Sequence, residues 1–270
     1  MFGFLGPNGA GKTTTIRTLL DLLHPTSGTA RIFGLDSHRN SVEIRARSGN
    51  LSGDFGYDPR VTGRELIEFL ADLRGNGTGR ADELAGRFRA DLDRPLGHLS
   101  RGNRQKIGLI QAMFHDPELL ILDEPTGGLD PLMQEEFLEL VKEERERGRT
   151  VFLSSHDLDE VERVCDRVGI IRDGRLVAVE HVHELTGKGY RHVRLEFAEP
   201  VSPQEFAHIP GVLDLEGDGT TVTFKVEGDI DPVVKQAARH RLRDIELTRA
   251  SLEEIFITYY TADGHGGDSA

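Results

Sequence analysis

The sequence predicts an α/β fold: a parallel sheet with helices, a helical insertion, and a small α+β domain towards the C-terminus. Three observations predict it. A glycine-rich loop over residues 6–14 lies between a short apolar stretch and a helical pattern. The aliphatic run 119–122 and the mainly apolar run 150–153 are typical of buried parallel strands. Beyond residue 187, strands and helices follow each other in a different order, which indicates a second domain.

The composition narrows the class of partner. The chain has 270 residues, a formal net charge of -13 and an isoelectric point near 5.3. An acidic balance of this size argues against a nucleic-acid partner. The single cysteine, Cys165, allows no intramolecular disulfide and indicates a reducing compartment. Because no apolar run approaches the ~20 residues of a membrane span, any work at a membrane would require docking to another subunit.

The loop between the strand at 2–5 and the helix predicted from Thr14 to Leu23 fits the pattern G-x-x-x-x-G-K-[ST]. Glycines let backbone N–H groups turn inward around an anion, and the next helix points its positive end at that anion. We expect Lys12 to reach the β- and γ-phosphates and the Thr13 hydroxyl to ligate Mg²⁺. The candidate phosphate-binding residues are Gly6, Pro7, Asn8, Gly9, Ala10, Gly11, Lys12, Thr13 and Thr14.

The next segments predict short elements and then helices. Residues 29–34 alternate like a strand, and residues 40–47 predict a helix. Residues 48–59 are polar and glycine-rich, which predicts a loop with room for a short strand. A capping box at Thr62 begins an insertion of about residues 60–115 that is mainly helical.

Asp123 and Glu124 directly follow the aliphatic run 119–122. Ligands of open α/β sheets bind at this end of the strands. Hydrolysis of ATP requires the metal to be held and a water molecule to be aimed. The sequence therefore predicts Asp123 as a Mg²⁺ ligand, directly or through water, and Glu124 as the general base.

A turn at 127–131 leads into a charged helix over 131–147, and the strand 150–155 ends at His156. Asp157 is the predicted N-cap of a helix that ends at Val164. A hairpin then forms around the turn signal Asp173-Gly174.

The C-terminal part predicts strand, weak helix, two strands, helix, strand and helix, which is a ferredoxin-like order. The segments are 191–197, 203–208, 211–216, 220–226, 231–240, 242–248 and 251–260. We predict an ATP-binding domain over 1–187, an accessory domain over 188–261 and a disordered tail over 262–270. His181 and His183 favour a solvated linker over a metal site.

The order of these motifs resembles the ATP-binding subunit of ABC transporters, and more narrowly that of bacterial drug- and antibiotic-export systems. The resemblance covers nearly the whole chain and is carried by Gly6–Thr14, Leu99–Lys106, Leu120–Pro125, Gly128–Pro131, His156 and the final segment Leu252–Tyr260. It implies a P-loop NTPase core that binds and hydrolyses ATP with Mg²⁺.

The segment Leu99-Ser100-Arg101-Gly102-Asn103 resembles the signature of this family, usually Leu-Ser-Gly-Gly-Gln. The resemblance implies that it caps the nucleotide of a second subunit in a head-to-tail ATP sandwich. It places Ser100, Gly102, Asn103 and Asp130 at the interface between the two subunits. It also implies that His156 hydrogen-bonds the γ-phosphate.

The chain departs from the family pattern in two places. The usual glutamine between the sheet and the insertion aligns with Gly53, so Asp54 is the candidate for a side chain that ligates Mg²⁺ there. The family also has strands before the nucleotide loop, one of which carries an aromatic residue that stacks on adenine. This chain starts at the loop, so we expect the flanks of strand 2–5 to be incomplete.

The resemblance implies a homodimer or heterodimer of ATPase subunits, bound to membrane-spanning permease subunits at the cytoplasmic face of the plasma membrane. The helical insertion and the loop near residues 53–57 would dock there. Two alternatives remain open. One is a soluble ABC ATPase that acts on ribosomes or in DNA repair, although these carry two cassettes or long coiled coils. The other is a nucleotide-binding regulatory or resistance protein with little turnover.

Overall fold

The computed structural model describes residues 1–52, 56–75, 77–188 and 190–249. Contacts divide the chain into a first unit, Met1–Glu180, and a second unit that begins at His181. The predictions for Gly53, Asp54, the helix 251–260 and the tail 262–270 lie outside the described residues.

The strands of the first unit form a six-stranded sheet and a small hairpin. The sheet has the order β4-β5-β6-β1-β7-β8, and its first five strands are parallel. The strands are β1 Phe2–Leu5, β2 Arg31–Ile32, β3 Leu35–Asp36, β4 Ser48–Leu51, β5 Leu119–Asp123, β6 Thr150–Ser155, β7 Arg167–Arg172 and β8 Arg175–His181.

Seven helices accompany these strands in the described part of the first unit. They are α1 Lys12–Leu19, α2 Ser41–Arg47, α3 Gly63–Arg74, α4 Ala81–Phe88, α5 Arg101–Met113, α6 Pro131–Glu146 and α7 Leu158–Val164. The helical insertion is confirmed as α3, α4, a 3₁₀ turn and α5. The capping box at Thr62 is also confirmed, because its hydroxyl accepts from the backbone of Glu65 and the Glu65 carboxylate accepts in return.

The expectation that β1 lacks flanking strands is wrong. Strand β1 lies in the middle of the sheet, with Phe2 opposite Phe152 of β6 on one side and opposite Arg167 of β7 on the other. Its neighbours come from much later in the chain, so inspection of the preceding sequence could not reveal them. The phosphate loop therefore leaves a fully paired central strand.

Residues 48–51 form the edge strand β4, where the sequence predicts mainly a loop. The reason is packing against helix α5: a Cβ added at Gly49 would lie 1.8 Å from the carbonyl oxygen of Ala112. Only glycine permits this close approach, so the glycine content here reflects packing and not a turn.

Helix α1 ends at Leu19, earlier than the predicted Leu23. The amide of Leu22 donates to the carbonyl of Arg17 and that of Asp21 donates to Thr18. Asp21 has a left-handed backbone with φ of 59°. This is a Schellman ending, with Asp21 where glycine is more common. Residues 29–34 form part of the β2–β3 hairpin, which turns at Phe33 and Gly34.

The second unit is a four-stranded antiparallel sheet with the order β10-β11-β9-β12. This is the predicted ferredoxin-like arrangement. Its elements are α8 Val182–Lys188, β9 Arg191–Phe197, β10 Val212–Asp218, β11 Thr221–Val226, α9 Asp231–Ala237 and β12 Leu242–Arg249. The helix predicted over 203–208 is only a 3₁₀ turn, Pro203–Glu205, because the amides of Phe206 and Ala207 donate to carbonyls three residues earlier, as in a 3₁₀ helix.

No helix among the described residues combines the length and the apolar character needed to cross a membrane.

Candidate active site

The phosphate loop joins β1 to α1. Gly9 and Gly11 have left-handed backbones, with φ of 85° and 109°, which a residue with a Cβ rarely adopts. A cleft of about 190 Å³ opens above the loop. Its lining consists of Pro7, Asn8, Gly9, Gly11, Lys12, Thr13, Thr14 and Glu124. Of the predicted phosphate-binding residues, Gly6 and Ala10 are buried and do not line the cleft.

Lys12 supplies the positive charge of this cleft. Its side chain is 6% exposed, and its ammonium group donates to the carbonyl of Gly6 at 2.6 Å. The Nζ atom also lies 3.2 Å from Oε1 of Glu124. A buried ammonium group requires such partners. The cation is therefore held at the cleft, within reach of an anion that replaces these contacts.

Thr13, which lines the cleft, contacts the buried Asp123. The Thr13 hydroxyl donates to Oδ2 of Asp123 at 2.8 Å, and the Ser154 hydroxyl donates to Oδ1 at 2.5 Å. Asp123 is only 1% exposed. A hydroxyl and a carboxylate are hard oxygen ligands of the type that Mg²⁺ prefers. The donor set therefore fits the predicted metal.

Sequence reasoning missed Ser154. It lies on β6, directly opposite Asp123 of β5 in the parallel register. Ser154 directly follows the apolar run 150–153. This position is the signal that could have revealed it, since the carboxyl ends of neighbouring parallel strands lie at the same edge of a sheet.

Glu124 and His156 lie together, although 32 residues separate them in sequence. The imidazole Nδ1 of His156 is 2.5 Å from Oε2 of Glu124. His156 is 64% exposed, so its ring is accessible from solvent. The other carboxylate oxygen, Oε1, is buried and accepts no hydrogen bond within the described residues. One oxygen of Glu124 is thus oriented by His156 and the other faces the cleft beside Lys12.

The backbone of Glu124 is strained and is held on both sides. Its φ is 50°, a left-handed value that is uncommon for a residue with a side chain. Its amide donates to Ser154 at 3.2 Å. On the other side, the side-chain amide of Gln105 donates to the carbonyls of Glu124 at 3.1 Å and of Pro125 at 2.9 Å.

Gln105 is a second residue that sequence reasoning missed. It lies on α5, two residues beyond the signature-like segment 99–103. Its signal in the sequence is weak, because a glutamine on an otherwise ordinary helix points to no particular chemistry. The structure shows that it connects α5 to the loop that carries Glu124.

Glu160 is a third. It is 6% exposed and accepts a hydrogen bond from the Ser155 hydroxyl at 3.1 Å. Ser155 in turn accepts from the amide of Asp157 at 2.9 Å. Burial raises the pKa of the Glu160 carboxyl. These contacts hold the chain on both sides of His156.

The signature-like residues lie elsewhere on the first unit. Ser100 caps α5 by accepting from the amide of Asn103 at 3.3 Å, and Asp130 caps α6 by accepting from Met133 at 3.1 Å. Ser100, Asn103 and Asp130 are exposed. In the described part of the chain, none of them lines the phosphate cleft.

Gly102 packs closely against the turn that precedes α6. A Cβ added there would lie 2.3 Å from the carbonyl oxygen of Gly128. The start of α5 and the turn before α6 therefore form one surface, on which Ser100 and Asp130 are both exposed.

Comparison with known proteins identifies the family. The profile of the family described as ABC transporter matches residues 1–127. The daunorubicin/doxorubicin resistance ATP-binding protein DrrA of Streptomyces peucetius is 32% identical, in an alignment that covers 100% of this chain and 87% of that protein. The chain belongs to the ATP-binding proteins of the ABC transporter family.

Other relatives are also ATP-binding proteins of export or transport systems. The fluoroquinolones export ATP-binding protein of Mycobacterium tuberculosis is 31% identical to this chain, in an alignment that covers 95% of this chain and 82% of that relative. The bacitracin transport ATP-binding protein BcrA of Bacillus licheniformis is 39% identical over 74% of this chain, and the alignment spans 66% of that relative.

Solved structures share the fold. A structure described as the ATP-binding subunit of an ABC transporter matches with a TM-score of 0.63 at 30% identity, over 69% of this chain and 80% of that one. The ATP-binding cassette MJ0796, a dimer bound to ADP and Pi, matches with a TM-score of 0.62 at 24% identity, over 67% and 85%. At this identity, the second match supports the fold alone.

Proposed function

We propose that this protein is the ATP-binding and ATP-hydrolysing subunit of a membrane transporter that exports drugs or other hydrophobic compounds. The observation that carries the proposal is the arrangement around one cleft: the cation of Lys12, the oxygen pair of Thr13 and Asp123, and the contact of Glu124 with His156. The names of the relatives, which refer to export of and resistance to antibiotics, support the transport role.

Lys12 and the loop amides bind the phosphates of ATP in this proposal. Thr13 and Asp123 hold Mg²⁺, with Asp54 as a further candidate ligand. The metal, when bound, neutralises charge on the phosphates. The Ser154 hydroxyl holds the Asp123 carboxylate in place by donating a hydrogen bond to its Oδ1 atom.

Glu124 is the general base. Its Oε1 atom lies at the cleft, 3.2 Å from the Lys12 ammonium group. Once the phosphates have replaced that contact, Oε1 accepts a proton from a water molecule that attacks the terminal phosphate. His156 fixes the other oxygen in the structure. When ATP binds, His156 donates to the γ-phosphate, since its exposed ring is close to the same cleft.

The functional form is a two-fold dimer, either a homodimer or a heterodimer. Ser100, Gly102, Asn103 and Asp130 complete the nucleotide site of the second subunit. Ser100, Asn103 and Asp130 are exposed and Gly102 is half-buried, and none of the four lines the cleft of its own chain. Such mutual completion is what a head-to-tail two-fold arrangement requires.

The dimer docks on permease subunits at the cytoplasmic face of the plasma membrane and is peripheral to it. Two apolar side chains of the helical insertion support α3 as part of the docking surface: Phe69 is 60% exposed and Leu73 is 68% exposed. Large exposed apolar residues on one helix mark an interaction surface. The acidic net charge gives no support to a nucleic-acid partner.

The substitution Glu124→Gln tests the proposal. It preserves the shape of the side chain but removes the base, so the ATPase rate should fall by about 10²–10⁴-fold while ATP still binds. Glu139→Gln on the exposed side of α6 is the matched control and should leave the rate unchanged. An unchanged rate in Glu124→Gln would exclude Glu124 as the base.

Two alternatives give different results. A nucleotide-binding regulatory or resistance protein would bind ATP normally but show the same low rate before and after Glu124→Gln. A soluble ABC ATPase without a transport role would show turnover that is lost in Glu124→Gln, yet it would not copurify with a membrane-spanning partner. Turnover, the variant and copurification together separate the three functions.

A further inference from the structure

Three metal-ligating side chains lie together on the first unit, away from the phosphate cleft. Oδ1 of Asp21 is 2.7 Å from Nδ1 of His38 and 3.2 Å from Nε2 of His24. The ligand atoms of all three residues lie within 4.8 Å of one another. The two rings meet edge to face, with centroids 4.6 Å apart. Nothing in the proposed ATPase mechanism uses this cluster.

The backbone on both sides of the cluster is fixed. Asp21 occupies the left-handed position of the Schellman ending of α1. His38 follows β3, and the carboxylate of Asp36 accepts from the amides of His38 and Arg39 at 3.0 Å. Beneath the cluster, Leu20 belongs to a buried apolar group that also includes residues of the β2–β3 hairpin and α2. Approach of the three side chains therefore needs no rearrangement of the chain.

The side chains themselves can adjust. His24 and His38 are 68% and 66% exposed, whereas the Asp21 side chain is 13% exposed. The fixed carboxylate is thus the anchor, and the two imidazoles can rotate at the surface. Together they face an open cleft of about 370 Å³, which leaves space for water.

The two distances from Asp21 are close to those of a tetrahedral zinc site. With Zn–N and Zn–O bonds of ~2.0–2.1 Å, the ligand atoms of such a site lie about 3.3 Å apart. The spacing of Asp21 and His24 already has this value, while His38 must move outward by about half an ångström. Two imidazoles and one carboxylate suit Zn²⁺ better than the hard cations Mg²⁺ and Ca²⁺, which prefer oxygen ligands alone.

We propose that Asp21, His24 and His38 bind Zn²⁺ through one oxygen and two imidazole nitrogens, with water as the fourth ligand. The ion would connect the C-terminal end of α1 to the segment between β3 and α2. Helix α1 begins at Lys12, so the zinc lies at the opposite end of the helix from the phosphates, roughly 12 Å away along its axis. Zinc would stabilise this helix independently of ATP.

A simple hydrogen-bonded pair is the alternative explanation, because an imidazole next to a carboxylate needs no metal. The hydrogen bond from His38 lowers the pKa of the Asp21 carboxyl, and an ionised carboxylate suits both explanations. The two differ in one respect. Hydrogen bonds from the imidazoles to Asp21 need no added ion, whereas a zinc site binds the ion only when all three side chains are present.

The test is a Zn²⁺ titration of the nucleotide-free protein in excess Mg²⁺, at mildly alkaline pH and in competition with a coloured chelator. We expect one Zn²⁺ per chain. Loss of a residue that only orients a metal ligand weakens binding by roughly 10–100-fold, so Asp21→Asn, His24→Ala and His38→Ala should each lose at least as much. Asn tolerates the left-handed backbone at position 21, so Asp21→Asn preserves the fold.

Two controls address other histidines. His181 and His183 have ring centroids 5.3 Å apart, so the double variant His181→Ala/His183→Ala removes an equal number of imidazoles and should bind Zn²⁺ normally. His156→Ala should also bind normally, which separates the site from the ATPase cleft. Co²⁺ in place of Zn²⁺ should give visible absorption that disappears in His24→Ala.

The proposal is overturned if the wild type binds no Zn²⁺ in competition with the chelator, or if the three cluster variants bind it as tightly as the wild type. Binding that is lost in the His181/His183 or His156 control would assign the metal to those residues instead. Because the titration uses nucleotide-free protein, either result leaves the ATPase proposal untouched.

Discussion

Replacing Gln105 by alanine tests whether α5 positions the base. Gln105 contacts the backbone of Glu124 and Pro125 and, in the described chain, does not line the phosphate cleft. It is therefore a positioning residue. The substitution removes both hydrogen bonds at the carbonyl side of Glu124 and leaves the bond from the Glu124 amide to Ser154 in place.

The size of the expected loss of kcat follows from two opposing free-energy contributions. Each hydrogen bond from the neutral amide contributes ~0.5–1.5 kcal/mol, or about 1–3 kcal/mol for the pair. The left-handed backbone of Glu124 costs about 1–2 kcal/mol for a residue with a Cβ. Since the two terms are of similar size, loss of Gln105 lets the strained residue relax away from its working position. A loss of ~1–2 kcal/mol in the transition state lowers kcat by roughly 5- to 30-fold.

Steady-state ATPase assays separate kcat from KM. We expect Gln105→Ala to lower kcat and leave the KM for ATP unchanged, because Gln105 does not line the phosphate cleft. Gln111→Ala is the matched control: it removes the same side chain from the same helix, and Gln111 makes no side-chain hydrogen bond within the described residues. Its kcat should equal that of the wild type.

Gln105→Glu distinguishes hydrogen bonding from size. The glutamate has nearly the same shape but places a carboxylate against two carbonyl oxygens, so it should lose at least as much activity as the alanine variant. Full activity in Gln105→Glu, or a raised KM with unchanged kcat in Gln105→Ala, would refute the positioning role.

Two further predictions concern stability. Gly49→Ala forces a Cβ to 1.8 Å from the carbonyl oxygen of Ala112 and should lower the free energy of unfolding by about 3 kcal/mol or more. A Cβ at the exposed Gly86 of α4 meets nothing within 4 Å, so Gly86→Ala should raise the free energy of unfolding by ~0.5–1 kcal/mol. Both changes are measured by urea denaturation. Burial lowers the pKa of His115 to about 4, so the unfolded chain binds the proton first: stability is full above the ordinary histidine pKa and falls by about 1–2 kcal/mol towards pH ~5, a loss that His115→Gln should abolish.

Local sequence patterns predict most of the secondary structure of the first unit. The strand-loop-helix at the phosphate loop, the carboxylates after β5 and the histidine after β6 are each readable within about ten residues. The capping residues Thr62 and Asp157 were also predicted correctly, because a helix end is a local structure.

Non-local pairing accounts for what the sequence did not reveal. Strand β1 finds its partners more than 140 residues later, at Phe152 and Arg167, and Gly49 belongs to a strand because α5 packs over it. Ser154 contributes through its register with Asp123. No spacing rule along the chain encodes such contacts, since they depend on which strands become neighbours.

The same helix serves both halves of the proposed dimer. At its start, the exposed Ser100 would contact the nucleotide of the second subunit in that dimer. Five residues later, the side chain of Gln105 donates to the backbone carbonyl of its own Glu124. A helix of 13 residues held by buried side chains along its length moves as one body. In the proposed dimer, closure at Ser100 would therefore shift the hydrogen bonds by which Gln105 holds the strained Glu124. Glu124 is held against its preferred backbone conformation, so a small displacement of α5 would move the base into or out of position. This would couple hydrolysis in one nucleotide site of the dimer to occupancy of the other nucleotide site.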